Sequence, residues 1–338
     1  MSIQFFIHTP LPDDMNERRA LVRAARLLYQ QFAPRQDESW LLIANLDPTH
    51  DPAWQNLGLT QLDGLLLGQK AAVILECKNY YEPITAASLT SRWFAGRQIV
   101  AAGSKNNLNP YEQVKKARSA WMRHLMAQKP EFAWDHLGVF LLFHPYLDSK
   151  SKFPLLGQDH YWLQIDSIET IVQLANNTSS PKLSFSPEAL PQLAQTLFHA
   201  QPWTDMETLL VSMMGYLHIQ PPGREPYSYP LYRYDEWLIG RGQESRQQAT
   251  RMILLSDDRI SRPHARIEVR QEAIRLYDLG SKNGTFRGNW RVEGESGVQL
   301  QPGEHIFLGS HEPEKAHHLW FEPLSPVAEG LDEDTRTA

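Results

Sequence analysis

Two carboxylates and an amine stand close together in the chain: Asp63, Glu76 and Lys78. Asp63 falls in the apolar run Gln61–Leu67, and the other two close the run that begins at Ala71. Gly68-Gln69 reads as a two-residue hairpin loop between the runs. With that turn Leu67 faces Lys70, Asp63 faces Ile74 and Gln61 faces Glu76. Alternation then puts Asp63, Glu76 and Lys78 on one face, with the two acids diagonal neighbours roughly 7–8 Å apart between backbones. Carboxylates at that spacing can share one hard divalent cation, Mg²⁺ or Mn²⁺, that keeps waters in its open positions. An ammonium two residues past Glu76 would orient such a water or stabilise charge growing on a phosphate. A one-residue slip would send one acid to the other face, so this geometry depends on the turn. Glu-x-Lys alone is common on solvated strand edges. Here Val73, Ile74 and Leu75 lead straight into Glu76, so the charges end a strand internal to a sheet, which is costly unless they are paired.

A second group lies far downstream. "LIGRG" holds Gly240-Arg241, "ISRPHARI" holds Ser261-Arg262-Pro263-His264, and "DLGSKNGTFRGN" holds Lys282-Asn283-Gly284. Each adjoins a strand-like run, so all three can be loops gathered at one end of a sandwich. They supply two guanidiniums, a hydroxyl and an amide, a set that suits a phosphate and a peptide backbone. Ser261 and His264, three residues apart in a turn, fit a loop-bracing histidine better than a catalytic dyad. Arg246 and Arg251 are further candidates for phosphate or acidic contacts.

The elements that must position these groups fall into two styles. An opening helix, Asp14–Phe32, carries Ala20, Leu21, Ala24, Leu27 and Leu28 at helical spacing with its arginines on the other faces. Strands follow at Trp40–Asn45, at the two runs of the hairpin, at Leu137–Phe143 and at Tyr161–Ile165. A second helix starts at Asn109-Pro110, a cap followed by proline at the first helical position, and passes through Trp121 and Leu125. Interleaved helices and strands predict a mixed α/β domain over 1–150. Residues 151–222 read as a helical extension, with Thr204–Glu207 at capping-box spacing ahead of Leu209, Leu210, Met213 and Met214. Gln220-Pro221-Pro222-Gly223 breaks the pattern. Short β-like stretches then recur at Ile253–Leu255, Ala265–Val269, Ala273–Tyr277 and His305–Leu308, the pattern of an all-β sandwich over 223–325. The acidic tail, 326–338, has almost nothing apolar and is expected to be disordered.

Composition agrees with this division. The 338 residues suit two domains, and 42 % apolar content excludes a wholly disordered chain. Net charge is −6, but residues 1–150 carry 16 Lys/Arg against 14 Asp/Glu and the remainder 17 against 25. Nucleic-acid work therefore belongs to the first half and needs a local cleft rather than a broad basic face. No apolar run approaches the roughly 18–20 residues of a membrane helix, and no secretory leader is visible, so no membrane partner is expected. One cysteine, Cys77, allows no internal disulfide and fits a reducing cytoplasm; its side chain alternates away from the acids, as a small core residue.

"LTQLDGLLLGQKAAVILECKNY" resembles the nuclease-related domain, a branch of the restriction-endonuclease-like PD-(D/E)xK superfamily. The resemblance spans roughly residues 13–145. It includes the helix bearing Glu17, the Gln61-x-Asp63 and Glu76-x-Lys78 steps, and "NPYEQ" with Gln113 on the following helix. It implies an α/β restriction-endonuclease-like fold and metal-dependent phosphodiester hydrolysis of DNA or RNA. Asp63, Glu76 and the backbone carbonyl of Cys77 would hold the metal. Lys78 would be base or stabiliser, and Glu17 and Gln113 accessory. Lys115, Lys116, Arg118 and Arg123, on the helix after Gln113, are candidates for phosphate contact.

The order and spacing of the three downstream motifs resemble a forkhead-associated (FHA) domain. That implies binding of a phosphothreonine-containing protein. Arg241 and Ser261 would take the phosphate, Arg262 and Lys282 would stand nearby, and Asn283 would hold the ligand main chain. His264 would brace the loops, with Gly240 and Gly284 structural. "GQESRQQATRM" is longer than the family's usual stretch there and richer in Arg and Gln, so ligand choice is expected to differ. Two functions follow: a metal-dependent nuclease directed by a phosphothreonine reader, or a non-catalytic phosphothreonine adaptor with a degenerate nuclease domain. The intact set Asp63, Glu76 and Lys78 favours the first.

Overall fold

The first two hundred residues form strands that are apolar on both faces, as a sheet covered by helices on each side requires. A computed structural model describes residues 3–35, 38–101, 109–204, 210, 212–242, 251–270, 273–293 and 297–324. Asp205–Leu209, Arg246 and the acidic tail lie outside the described residues. By compactness the chain divides into two units. The first is Met1–Val211 with short later segments that include Tyr234–Trp237; the second is Ser212–Arg233, Leu238–Arg246 and the chain from Met252.

In the first unit the elements run β1 (Ile3–Ile7), α1 (Met15–Phe32), β2 (Trp40–Leu46), β3 (Leu62–Gly68), β4 (Ala71–Tyr80), β5 (Ile84–Ala86), β6 (Trp93–Ala95) and β7 (Gln98–Ile99). Next come α2 (Pro110–Gln128), β8 (Gly138–Pro145), β9 (Leu163–Ser167), α3 (Ile171–Asn177), α4 (Ala189–Thr196) and β10 (Gln201–Pro202). A seven-stranded sheet has the order β10-β1-β2-β3-β4-β8-β9, and β5-β6-β7 form a small sheet of their own. β4 is internal, antiparallel to β3 and parallel to β8.

α1 starts where Asp14 accepts the backbone N–H groups of Asn16 (2.7 Å) and Glu17 (3.1 Å). Its Ala20, Ala24 and Leu28 pack with Ile171 of α3 against Leu66, Val73, Leu75 and Phe140. α2 is capped by Asn109, whose side chain accepts the N–H of Glu112 (2.8 Å). Val114 and Trp121, with Leu193 of α4, cover the other face, where Leu65, Ile74 and Leu141 point.

Sequence expectation and structure differ in three places here. The hairpin pairs Gly68 with Ala71 and Leu67 with Ala72, so Gln69-Lys70 is the loop rather than Gly68-Gln69. Residues 151–222, expected as a helical extension apart from a strand at Tyr161–Ile165, supply that strand as β9, but also β10 and only two short helices, and Met213-Met214 open a strand where a helix was expected. Three of the four arginines of α1, set on its other faces, are buried. Arg23 pairs with Glu169 (2.5 Å), Arg26 with Asp235 (2.6 Å) and Arg19 with Glu236 (2.8 Å), which is what allows three guanidiniums to be buried. His144 of β8 is 2 % exposed, and among the described residues its Nδ1 has no partner. Burial, then the Arg19 and Arg23 guanidiniums, pull its imidazole down to about 3.

The second unit is built from β11 (Met213–Gln220), β12 (Tyr227–Tyr232), β13 (Glu236–Arg241), β14 (Met252–Leu255), β15 (Ala265–Val269) and β16 (Ile274–Asp278). β17 (Thr285–Arg287), β18 (Trp290–Arg291), β19 (Val298–Gln299), β20 (Ile306–Leu308) and β21 (His317–Pro323) complete it. Two sheets form, β12-β11-β21-β20-β17-β18 and β14-β13-β15-β16-β19. Alternation buries Leu217 and Ile219 while Tyr216 and His218 turn outward, and Ile267 and Leu276 are buried from the other sheet. No helix among the described residues is long and apolar enough to cross a membrane.

Candidate functional site

The backbone ladder between β3 and β4 ends at Gly64 and Leu75. One step further the register sets Asp63 opposite Glu76, closer than the diagonal relation expected from sequence, and still on the same face. There the strands part, and the Asp63 carboxylate accepts the N–H of Cys77 at 2.6 Å in place of a backbone carbonyl. Glu76 is 5 % exposed. Its Oε1 accepts from Lys78 Nζ (2.6 Å) and from Gln113 Nε2 (2.7 Å), the latter delivered by the first turns of α2. The other amide atom of Gln113, Oε1, is buried without a partner among the described residues. Asn79 donates to Asn16 Oδ1 (3.2 Å), tying the end of β4 to the start of α1, where Glu17 stands. Sequence reading passed over Asn16 and Asn79; nothing short of the fold brings them together.

Charge dominates this site. Burial, then the Glu76 carboxylate, push the Asp63 carboxyl well above its ordinary value. Burial also raises Glu17, with Asp14 and Glu76 adding to it. For Lys78 burial works downward, but Glu76 and Asp63 overcome it and hold the ammonium above its ordinary value. Three carboxylates therefore share one ammonium. Cys77 turns its side chain to the opposite face beside the α1 core, and burial, then Asp63, push its thiol well up, which disfavours the thiolate. Among the described residues no three His, Cys, Asp or Glu side chains gather as a metal-binding group. The oxygens on offer are those of two carboxylates, the donor type and number with which proteins commonly hold Mg²⁺ alongside water and phosphate. Along α2, Lys115 and Lys116 are exposed, whereas Arg118 is committed to the carbonyls of Leu137 (2.6 Å) and Asp135 (2.7 Å).

In the second unit the three motifs meet through backbone hydrogen bonds. The N–H of Arg241 donates to Ser261 O (2.8 Å), and His264 Nδ1 accepts the N–H of Ser261 (3.0 Å). His264 Nε2 then donates to Gly284 O (3.2 Å), which fixes the tautomer; buried and neutral, the imidazole is lowered first by burial. Ser261 Oγ accepts the N–H of Lys282 (2.9 Å), and Asn283 Nδ2 donates to Arg259 O (2.9 Å). Arg241, at the end of β13, has its Nη1 on the exposed Asp258 (2.8 Å), while its buried Nε has no partner among the described residues. Arg262 and Lys282 are exposed. Gly284 has φ +88°, and a Cβ there would meet the Phe286 ring at 2.9 Å. Gly240 has no such constraint, since an added Cβ would make ordinary contacts at 3.6 Å. Arg251 is no phosphate candidate: it is buried against Asp235 at 2.9 Å.

Acids that sequence reading missed do much of the bracing. Asp278 accepts from Ser281 Oγ (2.6 Å) and Thr285 Oγ1 (2.7 Å), and Asp257 receives Arg259 (2.6 Å) and His317 (3.0 Å). The only available signal was an acidic residue flanking each loop, which is too common to single out.

Both halves match known families. Residues 17–141 match the sequence model of the nuclease-related domain, and residues 237–309 match that of the FHA domain. The chain thus carries a nuclease-related α/β domain followed by an FHA β-sandwich domain. Among solved structures it is similar to the FHA domain of the CT664 protein from Chlamydia trachomatis, at 23 % identity over 32 % of this chain and 97 % of that one (TM-score 0.26). It is also similar to the FHA domain of an Arabidopsis thaliana hypothetical protein, at 23 % identity over 35 % and 92 % (TM-score 0.27). A third, from work on phosphothreonine-dependent FHA interactions, is 29 % identical over 33 % and 99 % (TM-score 0.25). No curated protein matches significantly.

Proposed function

We propose that the first domain hydrolyses phosphodiester bonds of nucleic acid with a divalent metal, and that the FHA domain docks it on a phosphothreonine-bearing protein. The observation that carries the catalytic half is the excess of negative charge at the buried Glu76 and half-buried Asp63, with the exposed Glu17 at the rim, around a single ammonium. Such a cluster is stabilised by a cation. Asp63 and Glu76 would hold Mg²⁺ or Mn²⁺, with the Cys77 carbonyl beside them. When bound, that ion polarises the phosphate and makes a water nucleophilic. Gln113 fixes the rotamer of Glu76 by its hydrogen bond. Lys78, kept protonated by its two acidic neighbours, acts as a donor to the phosphate or the attacking water rather than as a base.

In the FHA domain, accepting the Lys282 N–H leaves the Ser261 hydroxyl proton free for a phosphate oxygen, and the unpartnered Nε of Arg241 supplies a charge-assisted bond. Phosphothreonine dependence, which marks the interactions of a similar FHA domain, is the ligand chemistry this set fits. A reducing cytoplasm, where Cys77 stays a thiol, is the proposed setting. Incubation with Mg²⁺ or Mn²⁺ and labelled single-stranded DNA, duplex DNA and RNA tests the catalytic half. The wild-type chain should cleave at least one. Asp63→Ala and Lys78→Met should lose at least about 100-fold in rate while melting cooperatively. Undiminished cleavage by both variants overturns the assignment.

A further inference from the structure

The small sheet β5-β6-β7 is anchored on one face and open on the other. Ile84, Trp93, Ala95 and Val100 are buried in the core beneath it, with 0–3 % exposure. Cross-strand pairing aligns Thr85 with Phe94 and Phe94 with Ile99, so these three form one outward row. Phe94 is 37 % exposed and Ile99 49 %. Thr85 continues the row to Lys152 through an isolated bridge. Arg92 shares the outer face with Phe94 by alternation, and Arg97 sits in the following turn; both are exposed, as is Lys152. Among the described residues none of these three cations faces a carboxylate at ion-pair distance. The stem of Glu82 packs over Gly96.

This wing is tied to the catalytic strand. The Tyr80 hydroxyl accepts the N–H of Ala101 (2.7 Å) and donates to Ile99 O (3.4 Å). Tyr80 follows Lys78 and Glu76 on the same side of β4 by alternation. The Glu76–Lys78 site and the wing are thus joined through β4 and the Tyr80 hydroxyl.

We infer that the outer face of β5-β6-β7 is a platform for single-stranded nucleic acid, on which Phe94 and Ile99 stack an unpaired base while Arg92, Arg97 and Lys152 take phosphates. The inference rests on the nuclease reading for its placement and deepens it by naming the substrate class. Unpaired cations alone would suit duplex or single strand equally. The flat aromatic ring and its aliphatic neighbour decide the matter, because a base offers its π-face only when it is unstacked.

Fluorescence anisotropy of the full chain in EDTA, where cleavage is suppressed, tests the platform. The probes are fluorescein-labelled oligo(dT), oligo(U) and a duplex, each about 15 residues long. One single strand, of either sugar, should bind at least about 5-fold tighter than the duplex, and Phe94→Ser should weaken it by about 5- to 100-fold. The Arg92→Glu/Arg97→Glu double variant should lower affinity and flatten the salt dependence by about 1.4 in log–log slope. Circular dichroism melting confirms that the variants are folded. Equal or tighter duplex binding, or Phe94→Ser within about twofold of wild type, overturns the platform. Hydrolysis of bis(4-nitrophenyl) phosphate with Mn²⁺, read on the wild type in parallel, separates the two readings. Phe94-dependent binding without hydrolysis supports the platform and discards only the catalytic role; hydrolysis without it discards the platform alone.

Discussion

The two proposed sites would meet a phosphate in opposite ways. In the first domain Asp63, Glu76 and Lys78 stand at the ends of internal strands, and Glu76 is 5 % exposed with Lys78 and Gln113 both on one of its oxygens. Position is fixed by the sheet, but negative charge is left in excess, which is why the proposed function gives this site a cation. In the FHA domain the groups sit on loops. The neutral His264, with Asp278 and Asn283, spans those loops through backbone carbonyls and hydroxyls. There the bracing is finished before any ligand arrives, and Arg241 keeps an unpartnered Nε. A sheet confers precision at the cost of burying charge. Loops avoid that burial but need a hydrogen-bond lattice to hold still.

The contrast can be broken at its largest expected effect by Arg241→Ala, which should weaken a phosphothreonine peptide by at least about 100-fold in anisotropy titrations. Equal affinity for the unphosphorylated peptide would contradict the phosphate assignment. The buried sheet should also feel acid through His144. His144 is neutral in the fold, with its imidazole at about 3, against about 6.5 when unfolded. Its stabilising contribution is whole above about 6.5 and is lost as pH falls toward 3. Between pH 6.5 and 4 the wild type should lose about 3 kcal/mol more than His144→Phe in denaturant titrations. A pH profile unchanged by the substitution would place the acid sensitivity elsewhere.

Asp63 has the opposite sign. Its folded carboxyl lies above the ordinary value, so ionisation is what folding penalises. The penalty is present above the folded value and gone below the unfolded one. Asp63→Asn should therefore raise metal-free stability near neutral pH by about 1–2 kcal/mol and abolish the thermal shift that Mg²⁺ gives the wild type. Loss of stability in this variant would mean that the Cys77 N–H bond outweighs the charge.

The shared face of Asp63, Glu76 and Lys78 was legible because side-chain alternation depends on parity. The turn was misplaced by one residue, which moved the register by two and left Asp63, Glu76 and Lys78 together. Gly68 misled because glycine has two uses. Here it admits the Trp40 ring, which a Cβ would meet at 2.7 Å, and the turn falls on Gln69-Lys70. Met213 and Met214 continued a helical spacing, yet burial of Gly215, Leu217 and Ile219 shows period two, which tertiary pairing with β12 and β21 enforces. The strands β5, β6 and β7, two or three residues each, are too short for any period to show. The FHA motifs were legible as loops, but their bracing acids were not, because Asp257 and Asp278 acquire meaning only once Arg259, His317, Ser281 and Thr285 are placed around them.

The smallest effect concerns Asp258, and it sharpens the contrast most. Its carboxylate is fully exposed and bonded to Arg241 Nη1 at 2.8 Å, so the guanidinium on the loop side already has an anion of its own. A surface pair of this kind contributes little to stability. Its consequence is competitive: an incoming phosphate must displace it or tolerate a like charge beside it. Asp258→Asn should tighten phosphothreonine-peptide binding by about 2- to 5-fold, most at low salt and fading as ionic strength rises. Peptides with acidic residues flanking the phosphothreonine should gain more than those with neutral flanks. Unchanged or weaker binding would show that Asp258 helps orient Arg241, and the loop site would then resemble the strand site in needing a partner carboxylate to set its cation.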